Sequence, residues 1–114
     1  MKSTVVIQAL SALAHPSRLE VFRLLVKRGP EGYVPSDLAE RLGIPSPTLS
    51  FHLKELSQAG LIESRRDGRF VYYSASMEHM NKLVSFLTEN CCSLGTSDSA
   101  SCRPSAASRI KNSA

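Results

Sequence analysis

The chain has 114 residues, of which 42% are hydrophobic and 21% are charged. This length allows one domain with a thin core, so assembly with a second copy is a reasonable expectation. The formal net charge of +4 suits a nucleic-acid partner but does not require one. Apolar runs of a few residues exclude a transmembrane helix, which needs about 20, and charges from Arg18 onward argue against a signal peptide. We therefore expect a cytoplasmic protein without a membrane partner.

Two helices are predicted in the first part of the chain. Residues 4–14 are apolar on nearly all sides, which is typical of a helix buried between other elements. Residues 15–29 place Pro16 where a first-turn proline belongs and stop at Gly29. This second helix carries one apolar stripe, made of Leu19, Phe22 and Val26.

Two shorter helices are predicted next. Ser36 is expected to cap a helix that ends at Gly43, because serine accepts hydrogen bonds from first-turn N–H groups and glycine terminates helices. Ser46 is expected to cap the following helix, with Pro47 at its first position and Gly60 at its end.

A hairpin and a last helix complete the predicted elements. Segments 61–66 and 69–75 flank the Asp-Gly pair at 67–68, which is the strongest short hairpin signal. Ser76 then caps a helix predicted over residues 77–91. Short helices followed by a hairpin in this order indicate a winged helix-turn-helix, a mainly α fold with a β-hairpin wing.

The three cysteines lie together near the end of the sequence, at Cys91, Cys92 and Cys102. We predict that residues 1–92 form the folded domain and that residues 93–114 form a flexible Ser/Ala-rich tail carrying Cys102. Cytosolic thiols stay reduced, so this cluster indicates metal or redox chemistry rather than a structural disulfide. No nucleophile, base and orienting group recur together, so we expect that the protein is not an enzyme.

The fourth helix has the residues expected of a DNA-reading helix. Leu49, Leu53 and Leu56 form the stripe that faces the core, and Phe51 lies on the opposite, polar face. Apolar side chains pack on thymine methyl groups in the major groove, and arginines of a wing suit phosphates or a narrow minor groove. Alternatively, another part of the fold covers Phe51, and the arginines are simply solvated. The candidate DNA-binding residues are Ser46, Pro47, Thr48, Ser50, Phe51, Lys54, Arg65, Arg66 and Arg69.

The segments LAHPSRLEVFRLL and SDLAERLGIPSPTLSFHLKELSQAGLIESRRDGRFVYYS, with their spacing, resemble the ArsR/SmtB family of metal-sensing winged-helix repressors over residues 5–91. The resemblance implies a homodimer formed by the first and last helices, which binds double-stranded operator DNA. It also implies that an inducing ion or thiol chemistry releases the repression. Apolar residues at helical spacing on those two helices give the candidate interface: Val6, Leu10, Leu13, Met80, Leu83, Val84 and Leu87.

Two of the family's familiar inducer sites are missing from this sequence. Residues 34–37 offer no thiols before the reading helix, and the last helix offers Glu78, His79 and Glu89 without the expected histidine spacing. We interpret His79 as structural, like His15 and His52. The remaining candidates for an inducer site are therefore the cysteines.

Three thiolates without a fourth ligand suit trivalent arsenic or antimony, which bind sulfur in a trigonal pyramid, whereas zinc normally takes four ligands. The sequence also resembles the arsenite-responsive members of the family that carry a Cys-Cys pair and a tail cysteine. Cys91 lies eleven residues after Met80, which on a continuous helix returns it to within about 20° of the dimer stripe. The metal ligands predicted are thus Cys91, Cys92 and Cys102, with As(III), or Sb(III), as inducer. A thiol-redox repressor and a constitutive DNA-binding protein are the alternatives.

Overall fold

The computed structural model describes residues 1–95. Its elements, in chain order, are α1 Ser3–Leu13, α2 Pro16–Arg28, a 3-10 turn Gly29–Glu31, α3 Pro35–Leu42, α4 Ser46–Gln58, β1 Ile62–Asp67, β2 Phe70–Ala75 and α5 Met77–Thr88. This order confirms the predicted mainly α fold with a β-hairpin wing. Residues 1–83 form one compact unit, and the chain from Val84 belongs to a second unit. Within residues 1–95, every helix is too short or too polar to span a membrane.

Prolines lie at the starts of the two short helices, and α3 and α4 begin two residues and one residue earlier, respectively, than the sequence predicts. α3 begins at Pro35 and α4 at Ser46, and neither helix has a side-chain cap, so the predicted caps Ser36 and Ser46 are wrong. A proline has the φ of a helix and lacks an N–H that would stay unpaired in the first turn, so it can begin a helix without a serine cap. The cap predicted at Ser76 is confirmed: its Oγ accepts the His79 N–H at 3.3 Å.

The core of the first unit lies where α2 packs against α1, α4 and the wing. On α2 the buried residues are Val21, Phe22 and Leu25, whereas Leu19 and Val26 are 44% and 39% exposed. The predicted stripe on this helix is therefore wrong except at Phe22. α2 itself carries six apolar residues, distributed around the helix, so the sequence pattern is compatible with several buried faces. Tertiary packing selects one of them.

α1 is not buried on all sides, contrary to the prediction. Only Val6, Ala9 and Ala12 are buried, and Ile7 remains 61% exposed in the single chain. Two of the predicted interface residues, Val6 and Leu83, are 4% and 3% exposed in the single chain, so they offer little surface to a second copy. Other predicted interface residues stay accessible on their own helices: Leu10, Val84 and Leu87 are exposed, and Leu13 and Met80 are half-buried.

The wing is an antiparallel hairpin whose register pairs Ile62 with Ala75 and Asp67 with Phe70. Its turn is therefore Gly68-Arg69, one residue later than the predicted Asp-Gly pair. Tyr33 adds a bridge to the outer side of β2, exchanging two backbone hydrogen bonds of 2.9 Å with Tyr73. This bridge requires Gly32, since its φ is +71° and a Cβ there would collide with the Tyr73 carbonyl oxygen. The wing is thus attached to the chain between α2 and α3.

Candidate nucleic-acid interface and cysteine segment

α4 has a buried apolar face and an exposed polar face, as predicted. Leu49, Leu53 and Leu56 are at most 3% exposed, which fixes the rotation of the helix against α1, α2 and α3. The predicted DNA-contacting residues of this helix all lie on the exposed side: Ser46, Pro47, Thr48, Ser50, Phe51 and Lys54. We call these six residues the reading face.

Phe51 is the side chain that distinguishes the reading face from an ordinary solvated surface. It is 53% exposed, so the alternative that another part of the described chain covers it is wrong. A single exposed apolar residue is common on protein surfaces, but an aromatic ring flanked by Ser50 and Lys54 matches the mixture of groups that reads major-groove base edges. The reading face can therefore offer apolar, hydroxyl and cationic contacts from one helix.

Beneath the reading face, His52 is the buried polar residue of the described core, with 5% exposure. Its Nδ1 accepts a hydrogen bond from Nε of Arg18 at 3.3 Å, and its ring centre lies 4.8 Å from that of His15. Burial, and then the nearby charges of His15 and Arg18, lower the pKa of His52 below its ordinary value. The interpretation of His52 as structural agrees with this neutral, hydrogen-bonded ring.

His15 also has a structural role, as the N-cap of α2. Its Nδ1 accepts the backbone N–H of Ser17 at 3.1 Å, which satisfies one donor of the first helical turn. The sequence indicated a structural histidine at this helix start, but histidine is outside the common set of capping residues, so the cap itself was not predicted.

The three wing arginines differ in how they are held. Arg65 donates from Nη1 to the carbonyl oxygen of Glu31 at 3.2 Å, and its guanidinium carbon lies 4.7 Å from the ring centre of Tyr72. The Arg66 side chain is exposed and makes no hydrogen bond or ion pair with another side chain or carbonyl group of the described range, and Arg69 lies in the exposed turn. Arg66 and Arg69 can therefore approach a phosphate more easily than Arg65.

The wing tip also carries an aromatic residue that the sequence analysis did not single out. Phe70 is 52% exposed at the start of β2, next to the turn residue Arg69. The sequence predicts only that Phe70 is a strand residue. Its exposure could not be predicted, because it depends on whether a second layer covers that face of the hairpin. An exposed aromatic beside a cation is a feature shared with the reading face.

The cysteine segment, defined as residues 89–95, follows the last helix as a series of turns. α5 ends at Thr88, and Asn90 and Cys92 have left-handed φ values of 60° and 65°. The helix predicted to continue to Cys91 is therefore too long, and helical spacing from Met80 does not place Cys91 beside the predicted dimer stripe. Asparagine tolerates left-handed backbone better than most residues, so Asn90 is a suitable place for the helix to stop.

The sulfur atoms of Cys91 and Cys92 lie 3.6 Å apart. Cys92 is disulfide-bonded in this structure. After reduction, two sulfurs at this separation can share an ion bonded at about 2.3 Å, the usual Zn–S distance in proteins. Within residues 1–95 there is no group of three or more His, Cys, Asp or Glu side chains that could hold a metal ion. The third predicted ligand, Cys102, lies outside the described residues.

Comparisons with known proteins agree with this architecture. A family model described as a helix-turn-helix domain matches residues 13–65. The arsenical resistance operon repressor of Bacillus subtilis is 38% identical over 85 residues, which cover 75% of this chain and 77% of the repressor. An ArsR-like transcriptional regulator from Rhodococcus has a TM-score of 0.71 at 27% identity, over 80% of this chain and 83% of that one. The chain belongs to the ArsR family of winged-helix transcriptional regulators.

A further solved structure, from Mycobacterium bovis, is described as the homodimeric winged helix-turn-helix DNA-binding domain of a possible ArsR-family transcriptional regulator. It matches this ArsR-family chain with a TM-score of 0.59 and 25% identity, over 83% of this chain and 88% of that one. This chain spans only 59% and 63% of the length of two other curated relatives. The proteins named above are regulators, a repressor and a DNA-binding domain, which agrees with the expectation that the chain is not an enzyme.

Proposed function

We propose that this ArsR-family chain is a dimeric repressor that binds operator DNA and releases it when As(III), or Sb(III), binds the thiolates of Cys91, Cys92 and Cys102. The observation that carries DNA binding is the exposed Phe51 ring on a helix whose leucines are fully engaged in the core. A solvated helix has little use for such a ring, whereas thymine methyl groups offer it an apolar partner.

The wing supplies the electrostatic part of the proposed DNA contact. Arg66 and Arg69 are exposed on one hairpin, which follows α4 directly in the chain. Their charges favour phosphates or a narrow minor groove, independently of sequence. The reading face then provides base discrimination, and the wing provides affinity.

Exposed apolar residues on the first and last helices support the proposed dimer. On α1, Ile7 and Leu10 are 61% and 42% exposed, and on α5, Val84 and Leu87 are 49% and 57% exposed. Burial of such side chains by a second copy removes apolar area from water.

A Leu87→Glu variant is expected to be monomeric in sedimentation at micromolar concentration, whereas Glu89→Gln, a change of an exposed charge, is expected to stay dimeric. A monomeric wild-type chain would contradict the dimer.

The proposed inducer rests on the chemistry of the cysteines and on one relative. Once Cys92 is reduced, the adjacent sulfurs 3.6 Å apart offer two soft ligands, and the sequence supplies a third in Cys102. A trigonal set of thiolates suits a trivalent metalloid better than zinc. The 38% identical Bacillus relative is named as an arsenical resistance operon repressor, which favours the same class of inducer here.

A mobility-shift titration tests the proposal. The probe is a DNA duplex that the reduced wild-type protein selects from a random-sequence library, and arsenite, antimonite, zinc and peroxide are added separately. We expect arsenite or antimonite to release the wild-type protein and to leave a triple Cys91→Ser, Cys92→Ser, Cys102→Ser variant bound. Release of that variant by arsenite would place the inducer site elsewhere. Release of the wild type by peroxide alone would favour the thiol-redox repressor, and no release by any agent would favour the constitutive DNA-binding protein.

A further inference from the structure

One arginine connects the reading helix to the two helices behind it. Arg18, in the first turn of α2, donates from Nε to Nδ1 of His52 at 3.3 Å and from Nη1 to the carbonyl oxygen of Ala12 at 3.5 Å. Its guanidinium carbon also lies 5.8 Å from the centre of the Phe51 ring. A single side chain of α2 therefore contacts the end of α1 and two adjacent residues of α4.

We propose that Arg18 is a positioning residue for DNA recognition, which fixes the direction of the Phe51 ring through its contacts with that ring and with His52. The proposal rests on the proposed DNA-binding function and extends it to a residue outside the reading face and the wing. The Phe51 ring is 53% exposed, so little packing restricts its rotamer. A guanidinium within about 6 Å of the ring centre attracts the ring face, and its planar fork is pre-organised for a second, directed hydrogen bond.

The hydrogen bond from Arg18 requires a neutral His52, because the imidazole must offer a lone pair at Nδ1. Protonation would replace that lone pair with an N–H and would add a positive charge opposite the guanidinium. The hydrogen bond is therefore lost in acid, and Arg18 is released from one of its two contacts on α4. Recognition that depends on Phe51 should weaken at the same time.

The other charged groups around His52 do not supply an alternative partner. His15 adds a second imidazole, with its ring centre 4.8 Å away. Glu55 of α4 lines a cavity of about 140 Å³ together with Arg18, and the α1 side chains at this cavity are the uncharged Gln8, Ser11 and Ala12. On α3, the charged residues Asp37, Glu40 and Arg41 are all exposed. Arg18 is thus the cation that is hydrogen-bonded to the buried ring.

The test compares Arg18→Gln and Arg18→Lys with Arg23→Gln, which removes an exposed charge from the same helix. The measured quantity is the ratio of affinity for the library-selected duplex to affinity for a scrambled duplex of the same composition. We expect both Arg18 variants to lower this ratio roughly fivefold, the size of a cation–π contact, and Arg23→Gln to leave it unchanged. Lysine keeps the charge but lacks the planar fork, so it should not restore the ratio.

A double-mutant cycle with Phe51→Ala separates positioning from general loss of stability. If Arg18 acts through Phe51, the loss caused by Phe51→Ala should be smaller in the Arg18→Gln or Arg18→Lys background than in the wild type. The proposal would be overturned if Phe51→Ala caused the same loss of affinity in the wild type and in both Arg18 backgrounds, and if the Arg18 variants kept the wild-type affinity ratio. Arg18→Lys carries the same expectation, so a folding defect in Arg18→Gln does not leave the question open.

An NMR titration of the free protein adds a readout that needs no DNA. Removal of the Arg18 charge and hydrogen bond should raise the pKa of His52 in Arg18→Gln, whereas Arg23→Gln should not change it. An unchanged His52 pKa in Arg18→Gln would contradict the link between the two residues. A wild-type protein that selects no DNA sequence would overturn the proposed function as well. Selective wild-type binding that survives in both Arg18 variants would overturn only the role of Arg18.

Discussion

The reading face and the cysteine segment are built in opposite ways. The reading face lies on a helix whose other side is locked by Leu49, Leu53 and Leu56, so its residues are displayed by a packed scaffold. The cysteine segment follows the end of α5 as hydrogen-bonded turns, and Cys91 is exposed. Buried side chains therefore hold the reading face, whereas backbone hydrogen bonds of successive turns hold the cysteine segment.

The largest expected effect is a difference in stability between the two regions. Leu56→Ala removes a fully buried side chain beneath the reading face and should lower the free energy of unfolding by about 2–5 kcal/mol. Cys91→Ser changes an exposed side chain of the cysteine segment and should stay within about 0.5 kcal/mol of the wild type. Urea unfolding followed by circular dichroism measures both. Comparable losses in the two variants would mean that the cysteine segment is part of the stable scaffold.

The second prediction separates function from stability within α4. Phe51→Ala removes an exposed ring, so it should leave the free energy of unfolding nearly unchanged while weakening binding to the selected duplex by about 1–3 kcal/mol. Ser57→Ala, an exposed position on the same helix outside the reading face, is the matched control and should bind normally. Binding is measured by fluorescence anisotropy with both duplexes. Normal selectivity in Phe51→Ala would show that this helix does not read the bases.

The sequence predicts well those features that depend on local patterns. The leucine stripe of α4 and the hairpin are local patterns with strong signals, so both were predicted correctly apart from one-residue shifts at the helix start and the turn. On α2, apolar residues are distributed around the helix, and only the packed fold determines that Val21 and Leu25 are buried while Leu19 and Val26 are exposed. Long-range contacts such as Arg18 with His52, which are 34 residues apart, have no local signal at all.

The cysteine segment shows the other limit of sequence analysis. The spacing of Cys91 from Met80 has meaning only if the helix is continuous, and left-handed backbone at Asn90 and Cys92 interrupts it. Which apolar side chains of α1 stay exposed is equally hard to predict, because Val6 and Ile7 are adjacent in sequence but opposite in exposure. The sequence gives the chemistry of the cysteines directly, whereas the placement of their side chains depends on backbone geometry.

The third prediction concerns the wing and has a smaller effect. Arg66→Ala should weaken binding to the selected and the scrambled duplex alike, and it should reduce the slope of log affinity against log salt by about 0.9, the value for one lost phosphate contact. Arg65→Ala should change the slope less, since Nη1 of Arg65 is engaged by the Glu31 carbonyl oxygen at 3.2 Å. Anisotropy titrations over a range of salt concentrations give both slopes. Equal slopes for the two variants would contradict the different roles of these arginines.

The last prediction uses pH to distinguish the scaffold from the cysteine segment. Burial, followed by the charges of His15 and Arg18, lowers the pKa of His52 in the folded chain below the ordinary histidine value of about 6.5 that is expected in the unfolded chain. The unfolded chain therefore binds more protons than the folded chain just below pH 6.5, so this contribution to stability is present above that pH and is lost as the pH falls through the folded pKa. Urea unfolding between pH 7.5 and 5.5 should show a decline for the wild type and for Cys91→Ser alike, because the cysteine segment does not contain this histidine. In His52→Gln, which cannot titrate, the decline should be reduced, and an equal decline in the variant and the wild type would assign the pH dependence to other groups.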